Sequence, residues 1–226
     1  LVQRDQQLVF PTVLVGTGGI GAMRDIERQP DGAWRIGAAV TLAELAAWAE
    51  ERVPMLTEAV RTIASAQIRE VATVAGNLGQ EKRCWFFRNG FDCYKRGGVS
   101  CPCYAIQGDH RLHHAAIGAH RCQAVTPSDL ATVFDALAAE IVVTGPAGSR
   151  RVRIAGLYAG PGELDLRPGE LIEAVELPGH TQRGRGAFAK LQQWDGDFAL
   201  VSAALCVDPD ADGRWRSVRF SFGGLA

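Results

Sequence analysis

Apolar residues recur with a helical period in the first half of the chain and with a strand period in the second. Ala33 to Ala38, just after an Asp31-Gly32 turn, predicts a strand. Thr41-Leu42-Ala43-Glu44 reads as a capping box, in which a hydroxyl and a carboxylate take up amides that the first helical turn leaves unpaired. A helix is therefore expected from Leu42 to about Glu51, with Pro54 ending the link. Leu56, Val60 and Ile63 keep helical spacing and predict a second helix over Met55 to Ser65. Farther on, Ser128 caps a predicted helix from Asp129 to about Ala139, with Leu130, Val133, Phe134 and Leu137 on one stripe.

Beyond that helix the pattern predicts strands. Ile141 to Thr144 and Val152 to Ile154 flank a Gly145-Pro146-Ala147-Gly148 turn, followed by Leu171 to Leu177, Phe188 to Gln192 and Phe198 to Val207. After a turn at Asp208 to Gly213, Val218, Phe220 and Phe222 alternate with Ser217, Arg219 and Ser221. The apolar run Leu8 to Met23 is short for a membrane span and broken by Pro11 and several glycines, so it is read as interior structure, with Gly16 to Gly21 as a turn. Ala72 to Asn77 is read as a tight glycine turn.

Composition narrows the class without naming it. The chain has 226 residues, 47% of them hydrophobic, which is ample for a core in one large or two small domains. A formal net charge of -1 and a pI near 6.6 offer no basic field for a nucleic-acid backbone.

Between the glycine turn and Thr126-Pro127-Ser128-Asp129 lies a long stretch with little periodicity that holds five of the six cysteines: Cys84, Cys93, Cys101, Cys103 and Cys122. A loop of that length needs something other than apolar burial to order it. Four thiolates on an iron-sulfur cluster would do so, and zinc could as well. His113, His114 and His120 stand near the thiols, yet no Cys-x2-Cys pair is present and the spacings fit no common zinc finger. Clustered cysteines argue against a disulfide framework and for a reducing compartment. Cys206, in an apolar run, is expected to be a packed core thiol. Trp85, Phe86 and Phe87 are expected to wall the cluster from water, and His110 to order the loop by hydrogen bonding.

The run Ile68-Arg69-Glu70-Val71-Ala72-Thr73-Val74-Ala75-Gly76-Asn77, with Thr126 to Ala131, Gly169-Glu170-Leu171-Ile172, Phe188-Ala189-Lys190 and Asp197 to Ala204, resembles the FAD-binding subunit of the xanthine dehydrogenase family of molybdenum hydroxylases. Cys84-Trp85-Phe86-Phe87-Arg88-Asn89-Gly90 through Gly108-Asp109-His110-Arg111 is similar to the insertion of the aldehyde oxidoreductase and 4-hydroxybenzoyl-CoA reductase subset, which carries an extra 4Fe-4S cluster.

The resemblance implies an α+β fold. It consists of FAD-binding PCMH-like α/β subdomains with a cysteine-rich insertion, then the start of a CO dehydrogenase flavoprotein C-terminal-like domain. Residues 1–65 are expected to be an incomplete N-terminal part, 66–178 the second FAD-binding subdomain with the insertion at about 80–125, and 179–226 the truncated start of the C-terminal domain. The family's Ala-Gly-Gly-Thr-type pyrophosphate loop has no counterpart, and both ends look cut or divergent.

As implied site residues, Thr73, Val74, Ala75, Gly76, Asn77, Asp129, Ile172 and Lys190 would meet FAD. Cys84, Cys93, Cys122 and one of Cys101 or Cys103 would hold the cluster. Spacing from Cys93 favours Cys101, whereas Cys103-Tyr104-Ala105 followed by Gly108-Asp109 matches the family pattern. No catalytic residue is expected here, because substrate chemistry belongs to a molybdenum-cofactor large subunit. Electrons would pass between the 2Fe-2S clusters of a small subunit and an external acceptor or donor through this chain. The compartment implied is the cytoplasm, or the periplasm if a partner exports the complex. A cluster-bearing structural subunit without flavin is the alternative.

Overall fold

The computed structural model describes residues 9–119, 121–160, 163–183, 185–210 and 212–225. Strand β1 (Ile26–Arg28) turns at Gly32 into β2 (Trp34–Gly37). Gly32 sits at φ +86°, a backbone that side chains disfavour. Helix α1 (Leu42–Ala49) starts at the expected capping box: the Glu44 amide donates to the Thr41 hydroxyl at 3.2 Å, and the Thr41 amide to the Glu44 carboxylate at 2.8 Å.

The helix expected over Met55 to Ser65 is present but ends early, as α2 (Pro54–Arg61), and a separate short helix, α3 (Ala66–Arg69), lies beyond the expected span. Ala64 turns left-handed at φ +49° and Ser65 caps the new start, which breaks the stripe that the apolar spacing suggested. The expected glycine turn is likewise a helix, α4 (Val74–Leu78), with the Thr73 hydroxyl accepting from the Gly76 amide at 3.1 Å. Two short helices in the cysteine loop follow, α5 (Trp85–Arg88) and α6 (Tyr94–Gly97), and then α7 (Asp129–Ala136), capped by Ser128.

Strands β3 (Glu140–Gly145) and β4 (Gly148–Arg153) form a hairpin, followed by a helical turn α8 (Ile154–Leu157), a small ribbon β5 (Tyr158–Gly160) with β6 (Glu163–Leu164), and β7 (Leu171–Leu177). The main sheet runs β1-β2-β7-β3-β4, antiparallel throughout. Ile36 of β2 pairs with Val175 of β7, which on its other side pairs with Ile141 of β3. All three are fully buried, and they share one core with Leu45, Leu56 and Phe134. A second sheet, β10-β9-β8, is built from β8 (Arg185–Gln192), β9 (Ala199–Pro209) and β10 (Trp215–Gly223). Helix α7 packs against it and against α2 and α4, and all its residues but Asp135 are buried. Cys206 is 1% exposed within the core, as expected.

One expectation is corrected on burial. Of the run read as interior, Phe10 is 80%, Val13 73% and Val15 82% exposed, and only Met23 is buried, while Leu8 lies outside the described residues. On β10 the phenyl groups face outward, Phe220 stacking on Phe222 with centroids 6.1 Å apart. The polar face turns in because Arg219 is satisfied there, donating to the Ala136 carbonyl at 2.8 Å and to Asp208 at 2.9 Å. Among the described residues no helix is long and apolar enough to cross a membrane.

Glu170 ties β7 to the hairpin. Arg150 donates to it through Nε at 3.0 Å and Nη2 at 2.8 Å, and the Arg167 amide at 2.8 Å. These bonds, the Arg150 guanidinium first, hold the Glu170 carboxyl at about 2 rather than 4.5. Its stabilisation is complete above the unfolded value and is lost as pH falls from about 4.5 to about 2, because there the unfolded chain binds the proton and the folded one does not. Glu170→Gln should flatten the acid limb of the stability curve in that window, read by denaturant midpoints taken at successive pH values.

The base of the cysteine loop is closed by three side-chain rungs. The Ser128 hydroxyl donates to Asn77 Oδ1 at 2.7 Å, Gln80 Nε2 to the Pro127 carbonyl at 3.3 Å and Lys82 Nζ to the Thr126 hydroxyl at 2.9 Å.

Candidate functional site

Above those rungs the loop folds round a narrow pocket lined by Cys84, Cys93, Cys103 and Cys122, with Phe86, Phe87 and Tyr94 among its walls. Short turns put the thiols there: Cys84 immediately precedes α5, Cys93 precedes α6 and Cys103 precedes a 3-10 turn at Tyr104–Ile106. Cys122 arrives on the returning chain, where His114 and Ala124 form an isolated antiparallel bridge. Cys84, Cys93 and Cys122 are buried, Cys103 is half-buried and none is in a disulfide. Cys101 does not line the pocket; its sulfur lies against Gly97 instead.

The pocket thiols sense one another. Burial pushes Cys84 up, with repulsion from Cys103 and Cys93 adding to it, and burial likewise pushes Cys122 up, with Cys103 and Cys84 adding. Among the described residues no three His, Cys, Asp or Glu side chains converge as a single ion requires. Cys84, Cys93, Cys103 and Cys122 are the residues of this pocket that could hold a metal or a cluster.

The neighbours sort as follows. Phe86, Phe91 and Tyr104 pack ring against ring at 5.3–5.9 Å. Trp85, expected in the wall, is 66% exposed. His110 orders the loop as expected, its Nδ1 lying 2.8 Å from the Gly108 carbonyl. His113 packs edge-on against Phe198, and His114 Nε2 lies 3.2 Å from Cys84 Sγ. His120 lies outside the described residues. Burial pulls the Lys82 ammonium down to about 8 beside the pocket.

The residues implied for FAD lie on and just before α4, at the start of α7, on β7 and on β8. Ala75 and Thr73 are half-buried and Gly76 is exposed, with only the Thr73 hydroxyl, at 3.0 Å, close to where a Cβ would stand. Beneath them Val74 and Asn77 are buried, and Ile172 is buried with its Cδ1 near Gly79. Asp129 and Lys190 form an ion pair at 2.8 Å, their side chains 6% and 2% exposed, with Lys190 Nζ also donating to the Thr62 carbonyl at 3.0 Å. Burial raises the Asp129 carboxyl, with Lys190 opposing. The amides of Val74, Ala75, Gly76 and Asn77 already donate, to the Val40 and Ala38 carbonyls, the Thr73 hydroxyl and the Thr73 carbonyl. The residues that could meet a cofactor are thus the exposed Gly76 edge and the half-buried Thr73 hydroxyl.

A family model described as the FAD binding domain in molybdopterin dehydrogenase matches residues 1–180. The chain belongs to that family. The aldehyde oxidoreductase FAD-binding subunit PaoB of Escherichia coli K12 is 38% identical over 97% of this chain and 70% of its own length. The glyceraldehyde dehydrogenase medium chain of Sulfolobus acidocaldarius is 23% identical, over 78% of this chain and 47% of its own. In fold, the chain is similar to a Cu,Mo-CO dehydrogenase chain (TM-score 0.71, 22% identity, 98% of this chain and 63% of that one). It is similar also to quinoline 2-oxidoreductase of Pseudomonas putida 86 (TM-score 0.69, 22% identity, 99% and 62%). The mixed α/β fold is therefore shared with these two chains.

Within this FAD-binding domain family member, sequence reasoning missed Lys82 and the specific place of His114. Lys82 carried a readable signal, a cation two residues before the first ligand candidate. His114 did not, since only the bridge to Ala124 brings it to Cys84.

Proposed function

We propose that this chain is the electron-transfer subunit of a multi-subunit molybdenum-containing oxidoreductase, of the aldehyde or aromatic and N-heterocycle hydroxylase type, and that it carries both FAD and a 4Fe-4S cluster. Cys84, Cys93, Cys103 and Cys122 hold the cluster. The observation that carries this reading is that those four cysteines line one pocket while Cys101 turns away to Gly97. FAD lies against Thr73 to Asn77, with Asp129, Ile172 and Lys190 shaping its floor, and supplies the exchange between one-electron and two-electron carriers. A molybdenum-cofactor subunit performs the substrate chemistry, and electrons move between the 2Fe-2S clusters of a third subunit and an external acceptor or donor. Residues 1–65, 66–178 and 179–226 correspond to the N-terminal part, the cluster-bearing FAD subdomain and the start of the C-terminal domain. The names of its relatives, an aldehyde oxidoreductase FAD-binding subunit among them, support the flavin half of the proposal.

A second reading, a cluster-bearing subunit without flavin, is favoured by one observation: the first amides of α4 are all bonded within the chain and offer no free nest for a pyrophosphate. Flavin, iron and sulfide quantified in the assembled complex decide between them. Gly76→Val gives the sharper test. A branched side chain would stand where the cofactor approaches, while the helix gains about 0.3 kcal/mol in propensity, glycine being the poorer helix former. Flavin affinity should fall roughly tenfold, the equivalent of about 1.4 kcal/mol, with iron unchanged. Undiminished flavin in that variant would place the cofactor elsewhere.

A further inference from the structure

We propose that His114 is a positioning residue of the iron site, its Nε2–H donating a hydrogen bond to the Cys84 sulfur and raising the reduction potential of the cluster. The inference rests on the 4Fe-4S reading above. Nε2 stands 3.2 Å from Cys84 Sγ, within hydrogen-bond reach of sulfur.

Two features hold the ring there. The bridge between His114 and Ala124, with the Ala115 amide donating to the Gln123 carbonyl at 2.7 Å, docks the segment beside Cys122. Just before it, His113 takes a left-handed backbone at φ +60°, which costs a residue with a Cβ about 1–2 kcal/mol and persists where surrounding contacts enforce it.

The tautomer follows from the partner. A thiolate bound to iron has no proton to give, so only the ring can donate across this contact, and it must do so from Nε2. Hydrogen bonds to the sulfurs are among the levers that set cluster potential, because they favour the more negative, reduced state.

The test uses the full chain carrying its cluster, with His114→Leu to remove the donor and His114→Gln to keep one. Iron and sulfide of the unsubstituted chain are measured first; without four of each, the cluster reading itself fails and this inference falls with it. With the cluster present, both variants should hold full iron. The midpoint potential should move to more negative values in His114→Leu and stay near the original in His114→Gln. Pulsed EPR of the reduced, 15N-histidine-labelled protein should show a nitrogen coupling that both variants lose. An unchanged potential in His114→Leu, an equal shift in the two variants, or loss of iron from a folded His114→Leu chain would overturn the proposal, the last by making His114 a ligand or a purely structural residue.

Discussion

Replacing Cys122 with serine is expected to strip the chain of most of its cluster iron, and Cys103→Ser to do the same, whereas Cys101→Ser should keep it. Cys122 closes the returning end of the loop and lines the pocket with Cys84, Cys93 and Cys103, so no spare thiol among them can take its place. Cys101 has its sulfur against Gly97 and should be silent. Ligation and loop order are one free energy, so the loop should loosen with the loss of iron and become open to protease between Trp85 and Arg121. The sheets should stay intact, since the buried cluster of Cys84, Phe87, Cys93, Cys122 and Ala124 is separate from the main core. Iron and sulfide per chain, the EPR signal of the reduced protein and a timed proteolysis are the readouts. Full iron and an unaltered signal in Cys122→Ser would refute the ligand set.

Lys190→Met should destabilise the fold by about 3–5 kcal/mol, the usual cost of leaving one buried charge without its partner. Asp129 is 4% exposed and opens α7, the helix packed on β9 and β10, so its carboxylate has no water to turn to. In a chain of this size that corresponds to a fall in Tm of roughly 10 °C. The double variant Lys190→Met, Asp129→Leu should recover most of the loss, because it removes both charges from the interior. Recovery separates an uncompensated charge from mere loss of packing around the lysine stem. A single variant as stable as the original would show that Asp129 simply takes up a proton.

What could be read from the sequence was whatever a few adjacent residues settle among themselves. The capping box at Thr41 and Glu44, the Ser128 cap and the Gly145 to Gly148 hairpin are local, and all three stand where they were expected. The break at Ala64 was not legible, because a single residue at φ +49° leaves the apolar spacing on both sides undisturbed. Nor was α4, whose five residues include a glycine and are too few to show a period. The alternation on β10 was plain, but the side facing the core was not: the choice depends on Arg219 finding the Ala136 carbonyl, far off in the chain. For the site, the five cysteines announced themselves by type and crowding. Separating Cys101 from Cys103 needed the turn at Gly97.

The three rungs at the neck, Asn77 with Ser128, Gln80 with Pro127 and Lys82 with Thr126, make the cysteine loop a module in the engineering sense. Its two ends are pinned together by the scaffold whether or not anything is bound above them. Lengthening such a loop twofold adds only about 0.6 kcal/mol of closure entropy. Its length and cysteine content can therefore drift through evolution almost independently of the sheet below, and a metal centre can be gained or discarded there without redesigning the fold that carries it.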